Sequence, residues 1–600
     1  MSEMEKNVRS KESLAESAPA SPGRRSFLGG VAATPLIATV AGLSAANAAT
    51  GDTVTTQTDL GPQNAEQRRA NAASRRRRAL ILSRDSIPIP EHPNNGDEEN
   101  VAGFANSFHK ALPHGENGLV DPAAFNAFRD AIDSGNPADF ANVTPGCPNP
   151  ANQRPLVDPQ SAHSFVLTGP DSRTYAMPPA PAFNSAEHAG EMVEMYWAAA
   201  TRDVPFSRYA TDPLVNLACN ELSALSDFRG PREGGQVTPR TYLRGIGSGV
   251  SVGPYMSQFL LLPATFGSTT IENTHVTYLP ALNFLTDYDE WLTVQNGCGP
   301  TSLRPIDPVK RIIRNGRDLA AYVNVDALAQ AYLNAVLISA FPAFETPTAG
   351  MPNPIAEFGY GAPPDENHPY RRFGTNFPLQ EPLGQLGGAW ILGLMWEVSQ
   401  RCVAAQWYQK YGVHRRARPE YYGGILNNQL TGVFGKDTYP IHDDLLNSPV
   451  LEKTSSIQGN FLLPIAFPEG SPTHPAYGSG HATVAGGCIT VLKAFFDESF
   501  PIPNPMEVSD DGLSLVPYTG ADAGQMTLGG EMNKLMSNIT FGRTHGGVHW
   551  RTDGTEANLL GEHIAIGLLE EMQFTYSFDF PDGFNLTRFD GTQITVGGNR

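Results

Sequence analysis

The stretch from His474 to Gly487 reads HPAYGSGHATVAGG. Two histidines, His474 and His481, flank a tight Tyr-Gly-Ser-Gly turn, and the turn opens into the apolar run HATVAGGCITVLKAFF, which predicts a helix. A helix start presents orphan backbone amides and the positive end of the helix dipole, and both favour an anion. Ser479 and Gly480 would cradle an oxyanion through a hydroxyl and a backbone amide, with His481 sitting over it. Taken alone, Ser479 reads equally well as a plain N-cap.

Two more stretches carry the same chemistry. In KYGVHRRARPE, Lys410 lies eight residues before Arg418. If that segment is helical, the two side chains stand about 80° apart around the axis and can lean into one pocket. Pro419 would then stop the helix. The bland reading is a solvated basic helix end. In FGRTHGGVHWRTDG, Arg543 lies six residues before His549, and Asp553 four after it. His549 and Asp553 share a face if the helix has begun by then. A carboxylate on one imidazole nitrogen fixes the tautomer and leaves the other nitrogen for a metal or an electrophile. Arg543 supplies a forked donor for tetrahedral oxyanions. His545, in the same stretch, reads as a packed loop residue. Two arginines and a lysine around one histidine can neutralise a phosphate-like trianion, while a second histidine moves protons.

The chain has 600 residues, room for two or three domains or one large one. Its 59 glycines and 50 prolines predict long irregular loops. A net charge of −19 excludes the broad basic face of a nucleic-acid binder, but not a local anion pocket. The five cysteines show no CxxC and no zinc-like spacing, so they are buried apolar residues or form one or two bridges. Near the N-terminus, SPGRRSFLGG precedes VAATPLIATVAGLSAANA, a twin-arginine pair before a weakly hydrophobic stretch with a small-residue ending. Residues 1–48 read as a Tat export signal, hence a periplasmic or extracellular protein. The alternative is a membrane anchor, but Pro35 and several glycines interrupt the stretch. No later stretch spans a bilayer: GAWILGLMWEVSQRC is broken by Glu397 and Arg401.

Residues 49–95 read as a polar arm, in which the basic run Gln67–Arg78 is a solvated helix or extended segment. The acidic loop IPEHPNNGDEEN could hold a structural calcium, although its spacing is not that of an EF-hand. Residues 96–600 read as one mostly helical catalytic domain: DPAAFNAFRDAI, EHAGEMVEMYWAAAT, ALAQAYLNAVLISAF, GAWILGLMWEVSQRCVAAQWYQKYG and NLLGEHIAIGLLEEMQ all have helical spacing. At the C-terminus FTYSFDF, FNLTRF and TQITVGG, separated by Asp-Gly turns, predict a small β-meander. The fold class expected is all-α, helical bundles with long loops and that β tail.

The pattern Lys-x7-Arg-Pro, Ser-Gly-His and Arg-x5-His-x3-Asp resembles the vanadium-dependent haloperoxidases and the related type-2 phosphatidic-acid-phosphatase enzymes. PEHPNNGDEE, KALPHGENGLVDP, VHRRARPE, HPAYGSGHA and GVHWRTDG resemble the algal bromoperoxidase branch and its bacterial relatives, over roughly residues 80 to 600. The resemblance implies an all-α fold with two four-helix bundles and a vanadate(V) cofactor. It implies His549 as the metal ligand. Lys410, Arg418, Ser479, the Gly480 amide and Arg543 would bond the cofactor's oxygens. His481 would be the acid–base group, Lys410 would also polarise the peroxide, and His474 would be an extra histidine linked to halide handling. Hydrogen peroxide and a halide, bromide or chloride, would give hypohalous acid, which halogenates small organic substrates. A homo-oligomer, dimer or larger shell, is implied as well. The alternative within the superfamily is an acid phosphatase with a phosphohistidine intermediate. Two departures stand out: Gly478 replaces the family's usual proline, which predicts a softer oxyanion wall, and Gln409 precedes the anchoring lysine where many relatives carry a basic or aromatic residue.

Overall fold

The computed structural model describes residues 63–598 apart from 89, 301–304, 341–358, 372–379, 381, 436, 578–579 and 581; the twin-arginine segment, 1–48, lies outside the described residues. Its longer helices are α1 Ala65–Ser86, α2 Pro122–Ser134, α3 Ala186–Thr201, α4 Pro213–Ala224, α5 Gly316–Val325 and α6 Gln330–Ala340. They continue with α7 Gly388–Trp407, α8 Pro419–Leu430, α9 Pro449–Gln458, α10 Gly480–Phe495, α11 Leu528–Gly546 and α12 Arg551–Met572. Local chemistry starts many of them. Asp121, Ser185, Asp212, Asn315, Ser479 and Thr527 each accept a first-turn amide as N-caps of α2, α3, α4, α5, α10 and α11.

Helix α10 is buried along its whole length except at His481. A helix apolar on every side belongs in the middle of a core, and α10 packs against α12, α7 and α11. Those four helices form one bundle, with α5 laid on α11; α3 gathers α4 and α9 and also reaches α11. Helices α10 and α12 approach so closely that a Cβ on Gly486 would stand 2.1 Å from the Asn558 carbonyl oxygen. A Cβ on Gly561 would likewise stand 2.1 Å from the Thr483 carbonyl oxygen. Backbone meets backbone at these positions, which only glycine permits.

Strand structure among the described residues is confined to three two-stranded antiparallel hairpins, 264–271, 506–517 and 584–596. The C-terminal tail is therefore a hairpin, Phe584–Thr587 paired with Gln593–Val596. The stretch FTYSFDF ahead of it enters through a 3-10 turn at Gln573–Thr575 and supplies no strand among the described residues. The basic run lies inside α1, where the Arg75 guanidinium donates to the carbonyls of Phe574 (2.9 Å) and Tyr576 (3.2 Å), tying the helix to the end of α12. Of the cysteines, Cys147 and Cys298 form a disulfide, and Cys219, Cys402 and Cys488 are free and buried. No helix among the described residues is long and apolar enough to cross a membrane.

The glycine contact between α10 and α12 makes a direct prediction. Gly561→Ala should lower the unfolding free energy by about 1–3 kcal/mol through overpacking, read in urea or thermal denaturation; an unchanged midpoint would show that the two helices can move apart freely.

Candidate functional site

The approach to the site differs from a single helix carrying both cations. Helix α7 passes into a π-helical turn at Tyr408–His414, Arg415 takes a left-handed conformation (φ 41°), and Arg418 is the extended N-cap of α8. Pro419 therefore begins a helix at its first position instead of ending one. Lys410 and Arg418 meet because the chain doubles back at Arg415, not because they share a helical face.

Both are fully buried. The Lys410 ammonium donates to the carbonyls of Pro475 (2.6 Å) and Ala476 (3.1 Å), in the loop leading to the Ser479 turn. An ammonium has three donors, so one remains. Arg418 donates from Nε to the His474 carbonyl (3.0 Å) and from Nη1 to the Val548 carbonyl (2.7 Å). Its Nη1 also lies 2.8 Å from His549 Nε2, and its Nη2 3.0 Å from His474 Nδ1. A guanidinium can only donate, so His549 Nε2 is an acceptor and its ring proton sits on Nδ1. That proton faces Asp553 Oδ2 at 2.9 Å. Helix α12 begins only at Arg551; the His549–Asp553 bond is thus made across a helix start, where Asp553 Oδ2 also accepts the Trp550 amide at 3.0 Å.

Arg543, near the end of α11, donates to the Val323 carbonyl at 2.6 Å, and its Nε is buried with no hydrogen-bond partner. The Ser479 hydroxyl accepts the Ala482 amide at 3.4 Å as the N-cap of α10, and its own amide donates to the Asp553 carbonyl at 2.6 Å. Gly480 is the first residue of α10, where amides lack intrahelical acceptors. The softer wall expected from Gly478 is not what the packing shows. A Cβ there would stand 2.9 Å from the Asp553 carbonyl oxygen and from Ala557 and Met177 side-chain carbons, so the turn is tight and the glycine is required by space.

His481 sits at the rim with its side chain 21% exposed, and its Nε2 is 3.0 Å from Asp326 Oδ1. His474 is buried against the Trp407 ring, 5.0 Å between centroids. Gln409 donates to the Tyr175 carbonyl (3.0 Å) and contacts His92, so its side chain is tied to the N-terminal segment. His545 is a residue of α11, not of a loop: fully buried, with both ring nitrogens unpartnered, and pushed down to about 3 by burial and by Arg202. In the acidic loop, Asp97 accepts from Asn95, Asn106 and the Phe183 amide, so its carboxylate serves the fold. No group of three or more His, Cys, Asp or Glu among the described residues could hold a metal ion.

The electrostatics follow from burial. Lys410 is held well below the ordinary lysine range by burial and by Arg418 and Arg543, against the pull of Asp553. Burial also lowers Arg418 and Arg543. His549 and His474 are kept neutral by burial and by the surrounding cations. Asp553 is raised to about 6 by burial, with Arg416 opposing. Asp326 stays below the usual carboxylate range because His481 and Arg543 outweigh its burial. Three buried cations with an unused Nε–H and orphan helix amides form a hydrogen-bond donor set that fits a compact tetrahedral oxyanion, and the Nε2 lone pair of the neutral His549 imidazole can ligate an electrophilic central atom. Asp326, Trp407 and Arg416 were not singled out from sequence. Asp326 lies in an unremarkable helix-ending stretch, VNVDALAQ, whereas Arg416 was visible within HRRARP.

A bound anion would relieve this charge excess. Millimolar phosphate should raise the thermal midpoint, with about 2.7 kcal/mol of stabilisation at one hundred times the dissociation constant. Arg543→Ala should weaken that binding roughly tenfold or more, since hydrogen bonds to charged groups are worth about 1.5–3 kcal/mol. A phosphate-independent midpoint would remove the oxyanion site.

A family model of the VCPO second helical-bundle domain matches residues 403–577, which include Lys410, Arg418, His474, Ser479, His481, Arg543, His549 and Asp553 but not Asp326. The vanadium-dependent bromoperoxidase of Corallina officinalis is 35% identical over 578 residues, covering 84% of this chain and 92% of its own length. That of Ascophyllum nodosum is 35% identical over 523 residues, covering 84% of this chain and 88% of its own. The structure of the second vanadate-dependent bromoperoxidase from Ascophyllum nodosum, a homohexamer, superposes with a TM-score of 0.80 at 28% identity, covering 97% of this chain and 95% of that one. With such identity over most of its length, the chain belongs to the vanadium-dependent bromoperoxidase family.

Proposed function

We infer that the protein is a vanadate-dependent haloperoxidase: hydrogen peroxide, a halide and a proton give hypohalous acid and water, and the hypohalous acid halogenates organic molecules. The observation that carries this reading is the set of buried cations Lys410, Arg418 and Arg543, whose charges all bear on His549, with Arg418 2.8 Å from its Nε2. Vanadate would be held by His549 Nε2 and by Lys410, Arg418, Arg543, Ser479 and the Gly480 amide; when bound it supplies Lewis acidity toward peroxide. The alternative, a phosphohistidine phosphatase, is not favoured, since the relatives named above are bromoperoxidases.

The chain's own groups have readable tasks. Asp553 orients His549 and keeps its proton on Nδ1. Arg418, which lies on His549 Nε2, and the remaining donor of Lys410 would hold the bound anion and supply positive charge where negative charge develops. His481, at the rim with its side chain partly exposed and braced by Asp326, moves the proton between water and the reacting oxygen. His474, packed at a tilt against Trp407 and bonded to Arg418, is placed to handle halide.

We further propose that residues 1–48 direct Tat export and that the mature protein is a homo-oligomer, as its structural neighbour is. The support is the twin-arginine pair and small-residue ending of that segment.

Purified apo-protein should not brominate a chlorinated dione dye with peroxide and bromide. Adding vanadate should restore turnover, with chloride tested in parallel, and His549→Ala should remove it. Turnover without vanadate, or steady phosphomonoester hydrolysis without halide oxidation, would overturn the assignment. Separately, the exported protein should begin near Ala49 on N-terminal sequencing and show a multiple of the protomer mass by light scattering.

A further inference from the structure

The run HRRARP holds three arginines, and the structure separates their roles. Arg415 pairs with Glu98 on the N-terminal side, its Nη2 2.7 Å from Oε1. Arg418 reaches the histidines. Arg416 is 1% exposed and joins neither group. Its Nη1 donates to Thr552 Oγ1 (2.9 Å) and Asp553 Oδ1 (3.1 Å). Its Nη2 donates to His188 Nδ1 (3.0 Å) and Glu191 Oε2 (2.7 Å). Four of the five guanidinium donors are thus committed to protein; only Nε is without a partner. The guanidinium also rides 4.7 Å from the Trp550 ring centroid, beside the histidine that precedes it in the chain.

Glu191 completes the grip from the other side. It lies on α3, and its second oxygen, Oε1, accepts the Thr552 amide at 2.5 Å. Helix α3 and Arg416 therefore hold the same first turn of α12 that carries Asp553. With Oδ1 taken by Arg416, Asp553 is left with Oδ2 for the His549 Nδ1 proton and the Trp550 amide. The two buried carboxylates, Glu191 and Asp553, share one guanidinium between them. Removing it would take from both the guanidinium they share, and a buried carboxylate that loses its cationic partner turns or takes up a proton.

We propose that Arg416, anchored by Glu191, is a positioning residue for His549: by fixing Asp553 Oδ1 it aims Oδ2 at the imidazole, and so sets the affinity of the site for its oxyanion without touching it. This rests on the vanadate reading above. It makes a claim that a merely structural arginine does not: the effect of Arg416 on anion binding must pass through Asp553.

The test is a double-mutant cycle on apo-protein, read as the vanadate dissociation constant by equilibrium dialysis, with phosphate as a second probe and thermal unfolding as the folding control. Arg416→Met should weaken vanadate binding by about 10–100-fold, the usual cost of losing an outer-layer partner. In the Asp553→Asn background the same change should add less than about threefold, because interacting residues are non-additive. Glu191→Gln, a milder change that keeps the shape, should weaken binding in the same direction and be equally silent in the Asp553→Asn background; it decides the matter if Arg416→Met fails to fold. Additive losses would mean that Arg416 contacts the anion itself, and unchanged binding by a folded variant would mean a role in stability alone; either overturns the proposal. Wild-type protein that binds phosphate but no vanadate would instead overturn the vanadate reading, and with it this one.

Discussion

Asp553 is gripped from several directions at once. Its Oδ2 holds the His549 imidazole and the Trp550 amide, its Oδ1 accepts from Arg416, and its backbone carbonyl accepts the Ser479 amide at 2.6 Å. The three stretches of chain that carry the site's donors, around residues 410–418, 474–481 and 543–553, thereby converge on one residue. That residue occupies the first turn of α12, whose backbone lies against α10 at glycine contacts. The chemistry of the site and the packing of the bundle are consequently the same constraint seen at two scales.

Burial sets the cost and the purpose of the arrangement. Desolvation penalises every charge in the cluster, and the cations penalise each other. A protein interior tolerates such an excess only when a counter-charge completes it. The carboxylates on hand are already committed: Asp553 to His549 and Arg416, Asp326 to His481, and Glu420 to Lys110, whose ammonium sits 2.5 Å from Oε1. The positive surplus is local and buried, in a chain whose overall charge is −19. Local field and net charge are independent quantities, and an acidic protein can hold a strongly cationic pocket.

The outer layers show how the pocket is kept in shape. Helix α3 contributes Glu191 to Arg416 and Glu194 to Arg551, so two buried ion pairs brace the start of α12. The loop before His474 is held by Lys110, which donates to the Ser471 carbonyl at 2.8 Å and pairs with Glu420, two residues beyond Arg418. Arg154 donates to the Glu469 carbonyl at 2.6 Å, and the neighbouring segment is stapled by the Cys147–Cys298 disulfide. The pairing of these groups carries no sequence signature, because each acts through a partner more than a hundred residues away.

Helical periodicity, capping residues and turn chemistry are local properties, and α2, α3, α7, α10 and α12 could be read from them directly. The side chains that the structure gathers at the head of α12, among them Lys410, Arg418, His474, Arg543 and His549, could be picked out too, since residue type and short spacing survive in a linear string. The π-helical turn at 408–414, the reversal at Arg415 and the helix start at Pro419 do not follow from spacing, because a spacing rule assumes one continuous helix and tertiary packing overrides it; where α12 begins relative to His549 is likewise open until the fold is seen. Gly478 was misread for a related reason: a glycine's freedom is a property of the residue, but whether it is used for flexibility or for close approach depends on what lies within 3 Å. Residue types and short spacings are enough to nominate side chains suited to an oxyanion. Which arginine lies on the histidines, which one holds Asp553 and which carboxylate faces which imidazole are set by packing, because those choices are distances between groups that the chain does not place near each other.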